Sequence, residues 1–441
     1  MTIAPSHFGG RLRSDQLLAK LLRGGLNALV IKIGAAGLSF VMFLTLAKAM
    51  NAGTYGQFAF GFSLATFLAI FGSFGLRNLS LRFAAIYALE RRDNDMSALV
   101  RYCYTRVLAG TGACAILLML TGVISQTPWL IGAGLLTLAL GLGELQPHIL
   151  RASTSMNRAL FPRDILWRLV VIAAAVAASF GFLTLGASGW LLLAATSLLM
   201  ITAIQFVMSP HLGPLAFKGG IGEPDRWRAQ LGGLWGSSIV VSAAPNLSVV
   251  FLGLVSDAQE TGAFFAALRL AMLMNLFLLA TNMIAAPLIA SHHALDDRAS
   301  VQRICRLVLI GVGVPSTITF LVFLAAGGWV LDLFAPGYDA AKPVLLIIAA
   351  GYLISALAGP TAQIMEMQGD ATFQLKVMTI SLAVALCALV PLSMAFGATG
   401  AALTLAAHTI VWNAVIYWRI WRVHGIAAGI VPRTLMERLD G

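Results

Sequence analysis

The sequence predicts an all-α polytopic membrane protein, with about twelve transmembrane helices in two six-helix lobes around a central cavity. Three observations predict it. Of the 441 residues, 59% are hydrophobic and only 11% charged, against about a quarter charged in soluble domains, and no water-soluble fold hides that much apolar surface. The apolar residues fall into runs of roughly 20, the length a helix needs to cross a bilayer. The basic residues sit in the connections, mainly in alternate ones.

Each element follows from that pattern. Residues 1–25 form a basic segment with Arg11, Arg13, Lys20 and Arg23. Leu17, Leu18, Leu21 and Leu22 share one helical face there, which fits a short interfacial helix and fits a disordered tail equally well. No cleavable signal pattern is expected, because the apolar run that follows is long enough to span. Twelve spans are read at about 26–49, 56–78, 104–124, 128–150, 164–185, 187–209, 233–255, 262–288, 304–326, 342–365, 371–395 and 397–419. They group as a first lobe at 26–210, a Pro- and Gly-bearing linker at 211–232, a second lobe at 233–419 and a tail at 420–441. The connections after the first, third, fifth, seventh and eleventh spans are short. The longest segment on that side is about 327–341, so no extramembrane domain is expected there.

Charge orients the chain. Of the 29 Lys and Arg, 25 stand in segments on the side of the N-terminus, the other four being Lys32, Lys48, Arg269 and Lys342. The positive-inside rule therefore puts both termini in the cytoplasm. The net charge of +11 reads as this anchoring. No basic groove interleaved with aromatic residues is present, so nucleic acid is not expected as a partner. Cys103, Cys114, Cys305 and Cys387 lie in or beside apolar runs without metal-ligand spacing and read as small apolar residues. No phosphate-cradling Gly loop and no nucleophile–base motif stands out, so neither a cofactor nor an enzyme is expected.

An internal repeat supports the two lobes. A shift of 206 positions lays Tyr55-Gly56-Gln57-Phe58 on Thr261-Gly262-Ala263-Phe264, Leu64-Ala65 on Leu270-Ala271, and Phe71 on Phe277. The same shift carries the first span onto the seventh and the second onto the eighth. Parallel repeats around a midplane site are a known plan for membrane transport.

The stretch Leu46–Arg82 organises the chain. Ala47-Lys48, a Gly/Asn turn at Asn51–Gly53, then Tyr55-Gly56-Gln57-Phe58 and the closing Phe74-Gly75-Leu76 with Arg82-Phe83 resemble the first hairpin of polysaccharide-synthesis transporters, the Wzx-type oligosaccharide flippases of the MOP superfamily. The family usually has Leu-Gly where this chain has Met50-Asn51, and often Arg where it has Lys48. The motifs cover about the first fifth of the chain, and the remainder resembles the family in layout. The resemblance implies flipping of a lipid-pyrophosphate-linked oligosaccharide in a bacterial inner membrane.

Ionisable residues inside spans are costly and mark function by default. Lys32 lies about two turns into the first span, roughly 9 Å deep, and Arg269 lies about two turns into the eighth. Lys48 and Arg77 stand near opposite ends of the first hairpin, where snorkelling explains them without a further role. With spans one, two, seven and eight facing the cleft, these four place basic groups at both mouths of one cavity, suited to phosphate oxygens. Asn246, Asn275 and Asn282 are candidates to hydrogen-bond sugar hydroxyls or to bridge helices. Glu144, with Gln146 and His148 nearby, is the candidate for coupling to H+ or Na+, against a structural role. Asp164, beside Arg163 and Arg168, reads as a helix-start residue pairing locally, and Glu366 and Asp370 read as loop groups. Pro245, Pro287, Pro315, Pro360 and Pro391 read as ordinary membrane-helix kinks or as hinges.

The expected partners are thus a lipid-linked anionic oligosaccharide, membrane lipids and a coupling ion. A cation-coupled drug exporter on the same plan commonly uses acids in its first span, and this first span has none. A membrane polymerase or ligase of lipid-linked sugars often carries a large basic outer loop, which is missing here. An assembly scaffold leaves Lys32 and Arg269 without a purpose.

Overall fold

In a computed structural model, which describes residues 14–209, 212, 222–294, 298–367, 369–425 and 429, the chain opens with helix α1 (Ser14–Ala49), unbroken from the basic segment into the first span. Residues 1–13, and the side chains of 14–28, lie outside the described part. After Met50–Asn51 comes α2 (Ala52–Gly72), capped by the Asn51 side chain, which accepts the Thr54 amide at 2.8 Å. Such a cap satisfies one of the four donors that every helix start leaves unpaired.

The second span ends at Gly72, earlier than the apolar count suggested. A Ser73–Gly75 turn then starts α3 (Leu76–Glu90). Arg77 therefore belongs to the start of α3. Next come α4 (Asp93–Ile124) and α5 (Pro128–Ser153). The fifth span differs most from expectation. It begins at α6 (Met156–Phe161), passes through a five-residue π turn (Pro162–Leu166) and ends with α7 (Trp167–Ser179). Ser155 caps it by accepting the Arg158 amide at 3.4 Å. Charged residues hid this helix in the sequence; Arg163, Asp164 and Arg168 are tolerated because they face protein and not lipid. Helix α8 (Ala187–Met208) completes the first lobe.

The second lobe repeats the plan. Helix α9 (Pro224–Val255) is followed by Ser256–Asp257 and α10 (Ala258–Ala271), and Asp257 caps α10 through the Glu260 amide at 2.7 Å. A 3-10 turn (Met272–Met274) separates α10 from α11 (Asn275–Ala294), so the eighth span breaks in mid-membrane. Helices α12 (Arg298–Asp332), α13 (Lys342–Leu357), α14 (Thr361–Met367) and α15 (Ala371–Arg419) follow. Helix α15 is two spans joined at Gly397, whose φ of 56° lies in the region glycine favours. There the Glu260 carboxylate accepts the Ala398 amide at 2.6 Å and caps the second half. Ten helices in the described part are long and apolar enough to cross a bilayer. The second half of α15 and the π-broken α6–α7 bring the number to twelve.

The lobes meet where α2 packs on α9 and α10. A Cβ added to Gly56 would stand 1.6 Å from the Ala258 carbonyl oxygen, and one added to Gly262 would stand 3.2 Å from the Gly56 nitrogen. The two glycines that the 206-residue shift superposes thus face each other across the lobe boundary. This contact lies at the end of the molecule that carries the short turns. The opposite end carries the basic connections.

Candidate functional site

Between the lobes lies a chamber of about 330 Å³, lined by α1, α2, α5, the π turn with α7, and the α10–α11 break. Among the described residues its ionisable lining is Glu144, Arg163, Arg168 and Arg269. Three guanidinium groups therefore face one carboxylate, and the chamber carries an excess of positive charge.

The first-lobe side of this wall is a buried charge network. Asp164, 1% exposed, binds Lys32 of α1 at 2.7 Å and Arg163 at 2.7 Å. Arg163 also pairs with Glu144 of α5, and Arg77 approaches that carboxylate at 3.7 Å. Arg168 reaches Ser39 of α1 at 2.7 Å and turns back to the Asp164 carbonyl. The His148 ring contacts the Glu144 carbonyl at 2.7 Å. The π turn makes this possible. An extra residue per turn moves Arg163, Asp164 and Arg168 off a regular helical register, and such bulges recur at functional sites.

The second-lobe side is different. Arg269, the basic residue of the last turn of α10, lies over the rings of Phe265 at 4.5 Å, Phe43 at 5.0 Å and Phe62 at 5.6 Å. Its Nε is buried without a partner, and no carboxylate bonds it among the described residues. Ring faces stabilise a desolvated cation by about 2 kcal/mol, less than full hydration provides. Arg269 is held in place with hydrogen-bonding capacity to spare.

The sequence candidates are distributed unevenly. Arg269 and Glu144 line the chamber. Lys32 does not; it supports the wall from behind through Asp164. Asp164, expected at a helix start with local partners, instead lies within the π turn and reaches a residue on α1. Arg77 sits at the far side of Glu144, and its Nε is buried without a partner. Lys48 is exposed at the end of α1. Asn246 bonds the Ser242 carbonyl of its own helix at 2.9 Å and does not line the chamber. Asn275 stands beside the Tyr352 side chain of α13 and does not line the chamber, and the side chain of Asn282 lies outside the described part. The expected arrangement of spans one, two, seven and eight is corrected as well: the fourth and fifth spans supply wall, and the seventh does not. Arg163 and Arg168 were counted as positive-inside residues. The available signal was an acid set among three Arg at Arg158–Arg168, beside a long apolar run.

The model of a family described as polysaccharide biosynthesis protein matches residues 21–293. No curated protein matches the sequence. Among solved structures, an inward-facing multidrug-resistance MATE transporter of the MOP superfamily superposes with a TM-score of 0.67 at 12% identity, covering 90% of this chain and 98% of that one. A MOP superfamily transporter from Pyrococcus furiosus, described as having a binding pocket of reverse polarity, gives 0.56 at 12% identity, with 92% and 95% covered. A Vibrio cholerae MATE transporter gives 0.52 at 15%, with 92% and 97% covered. These likenesses establish the fold.

Proposed function

The chain belongs to the polysaccharide biosynthesis protein family, and from that premise we propose that it flips a lipid-(pyro)phosphate-linked oligosaccharide across the bacterial inner membrane for surface polysaccharide synthesis. The observation that carries the reading is the chamber in which Arg163 and Arg168 of one lobe meet Arg269 of the other. A sugar head bearing phosphate cannot cross about 30 Å of hydrocarbon unaided. A guanidinium-lined chamber replaces its hydration with charge-assisted hydrogen bonds, while the lipid tail stays in the bilayer.

In this mechanism Arg168 and Arg269 take the phosphate oxygens. Glu144 is the resident counter-ion of Arg163, and it is the group through which H+ or Na+ couples. Lys32 and Asp164 hold the wall. The basic segments supply the orientation, both termini cytoplasmic, so that loading occurs from the charged end. The same superfamily includes multidrug exporters, but a cationic cargo fits poorly where three Arg outnumber one acid.

The test is complementation of a deletion strain that accumulates lipid-linked sugar on the cytoplasmic face. Wild type clears it. Arg168→Ala with Arg269→Ala, present in the membrane at wild-type level, is expected to slow clearance at least tenfold, since a hydrogen bond to a charged group contributes about 1.5–3 kcal/mol. Full rescue by that double variant overturns the role of the chamber.

A further inference from the structure

The π turn has a second face. Behind it, toward the bilayer, a groove of about 680 Å³ runs between α6 and the end of α8, lined among others by Asn157, Arg158, Phe161, Leu166, Ile204 and Ser209. Its volume is that of a small-molecule site, about 300–1,000 Å³. Its chemistry is divided by depth. Asn157, Arg158 and Ser209 stand at the charged end, at the level of the α6 start and the α8 end. Phe161, Leu166 and Ile204 form exposed apolar walls toward the hydrocarbon.

The mouth is a fixed frame. The Gln205 amide donates to the Arg158 carbonyl at 2.7 Å and to the Ala159 carbonyl at 3.4 Å. Its oxygen accepts from Gln146 at 2.8 Å, and Gln146 accepts from Tyr104 at 2.8 Å. Three helices thus hold the Arg158 backbone of α6, while its guanidinium is exposed and bonds no carboxylate among the described residues. The groove between the two halves of α15, about 520 Å³, offers a contrast. It is lined by apolar residues with Ser381, Thr404 and His408, and has no cation.

We propose that the α6–α8 groove is a binding site for an anionic glycerophospholipid of the surrounding bilayer. The Arg158 guanidinium takes the phosphate in its planar fork, Asn157 adds a hydrogen bond, and an acyl chain lies along Phe161, Leu166 and Ile204. Charge complementarity selects the occupant. In the orientation proposed above, this end faces the leaflet whose anionic lipids give a negative surface potential. This site rests on the proposed orientation and is independent of the cargo that the chamber carries. It shares the Pro162–Leu166 turn with the chamber wall, the groove contacting Phe161, Pro162 and Leu166 and the chamber contacting Arg163, Trp167 and Arg168.

The experiment is native mass spectrometry of the full chain in detergent, titrated with phosphatidylglycerol or phosphatidylcholine. Wild type is expected to retain phosphatidylglycerol preferentially. Arg158→Gln is expected to weaken that retention about tenfold, as loss of one charge-assisted contact implies. Leu166→Trp, which fills the groove without changing charge, is expected to weaken it as well. Arg228→Gln, an exposed Arg at the same end paired with Asp225, is expected to leave it unchanged. Equal retention of both lipids by wild type overturns the proposal. So does an equal loss in Arg158→Gln and Arg228→Gln, or retention that neither Arg158→Gln nor Leu166→Trp alters.

Discussion

The two lobes share a plan and treat charge in opposite ways. Asn51 and Asp257, 206 positions apart (257 − 51), cap the second helix of each lobe with the same bond. Asp164 and Asp370 stand at the same interval (370 − 164), yet their settings differ. Asp164 is buried in the π turn between Lys32 and Arg163. Asp370 is 25% exposed beside the start of α15 and receives Arg419 in a two-point contact at 2.9 and 3.1 Å. The positions that match Lys32, Arg163 and Arg168 hold Ser238, Gly369 and Gln374. Ser238 accepts a bond from Asn78 of the other lobe at 3.4 Å. The second lobe brings one cation, Arg269, to the chamber, and its counterpart in the first lobe is Ser63. An unpaired amide at that helix start is costly in either lobe, so both keep this cap. Buried charge is costly, so it is concentrated where the chamber needs it.

The sharpest way to break this contrast is to remove each of the two aspartates. Asp164→Ala leaves Lys32 and Arg163 without that partner in a buried setting and is expected to cost about 3–5 kcal/mol. Asp370→Ala removes a partly exposed pair and is expected to cost about 1 kcal/mol or less. Thermal unfolding of both variants in detergent measures the difference, and equal losses would show that the two sites are energetically alike. The caps give the opposite expectation. Asn51→Ala and Asp257→Ala should each cost about 1 kcal/mol, and the same melts should find them within a few tenths of each other.

The smallest effect belongs to a cluster outside the spans. Glu223 binds Arg92 at 2.6 Å and Arg226 at 2.8 Å, and those bonds hold its carboxyl below the usual carboxylate range. A depressed acid contributes stability that is complete above its unfolded value, about 4.3, and is lost as pH falls through the folded one. Wild type should therefore lose slightly more stability on acidification than Glu223→Gln does, and added salt should narrow the gap. A steeper loss in Glu223→Gln would reverse the sign.

Much of the fold was legible because the bilayer imposes simple rules on sequence. Run length gave the spans and the basic connections gave their alternation. The Gly56–Gly262 correspondence pointed to the repeat that the lobe boundary then displays. The break at Gly397 fell at the first residue of the last predicted span. The site was less legible. Arg269 stood out because it interrupts an apolar run, with no interface near enough to explain it. Arg163 and Arg168 did not stand out, because they lie where an interfacial Arg and a chamber Arg have the same sequence context. The π turn that separates those meanings is a backbone register, and side-chain composition does not encode it locally. Lys32 was noticed for the right reason, its depth, but its partner lies 132 positions away.

The sequence by itself determined the membrane as solvent, the number of crossings and the doubled plan, because hydrophobic length and charge placement act one segment at a time. Only the tertiary structure decided which cations face the chamber and which serve as struts. That choice depends on how α1, α5, α7 and α10 pack against one another, and on whether a carboxylate from another helix arrives within bonding distance. Lys32 meets one at 2.7 Å, whereas Arg269 meets three aromatic rings.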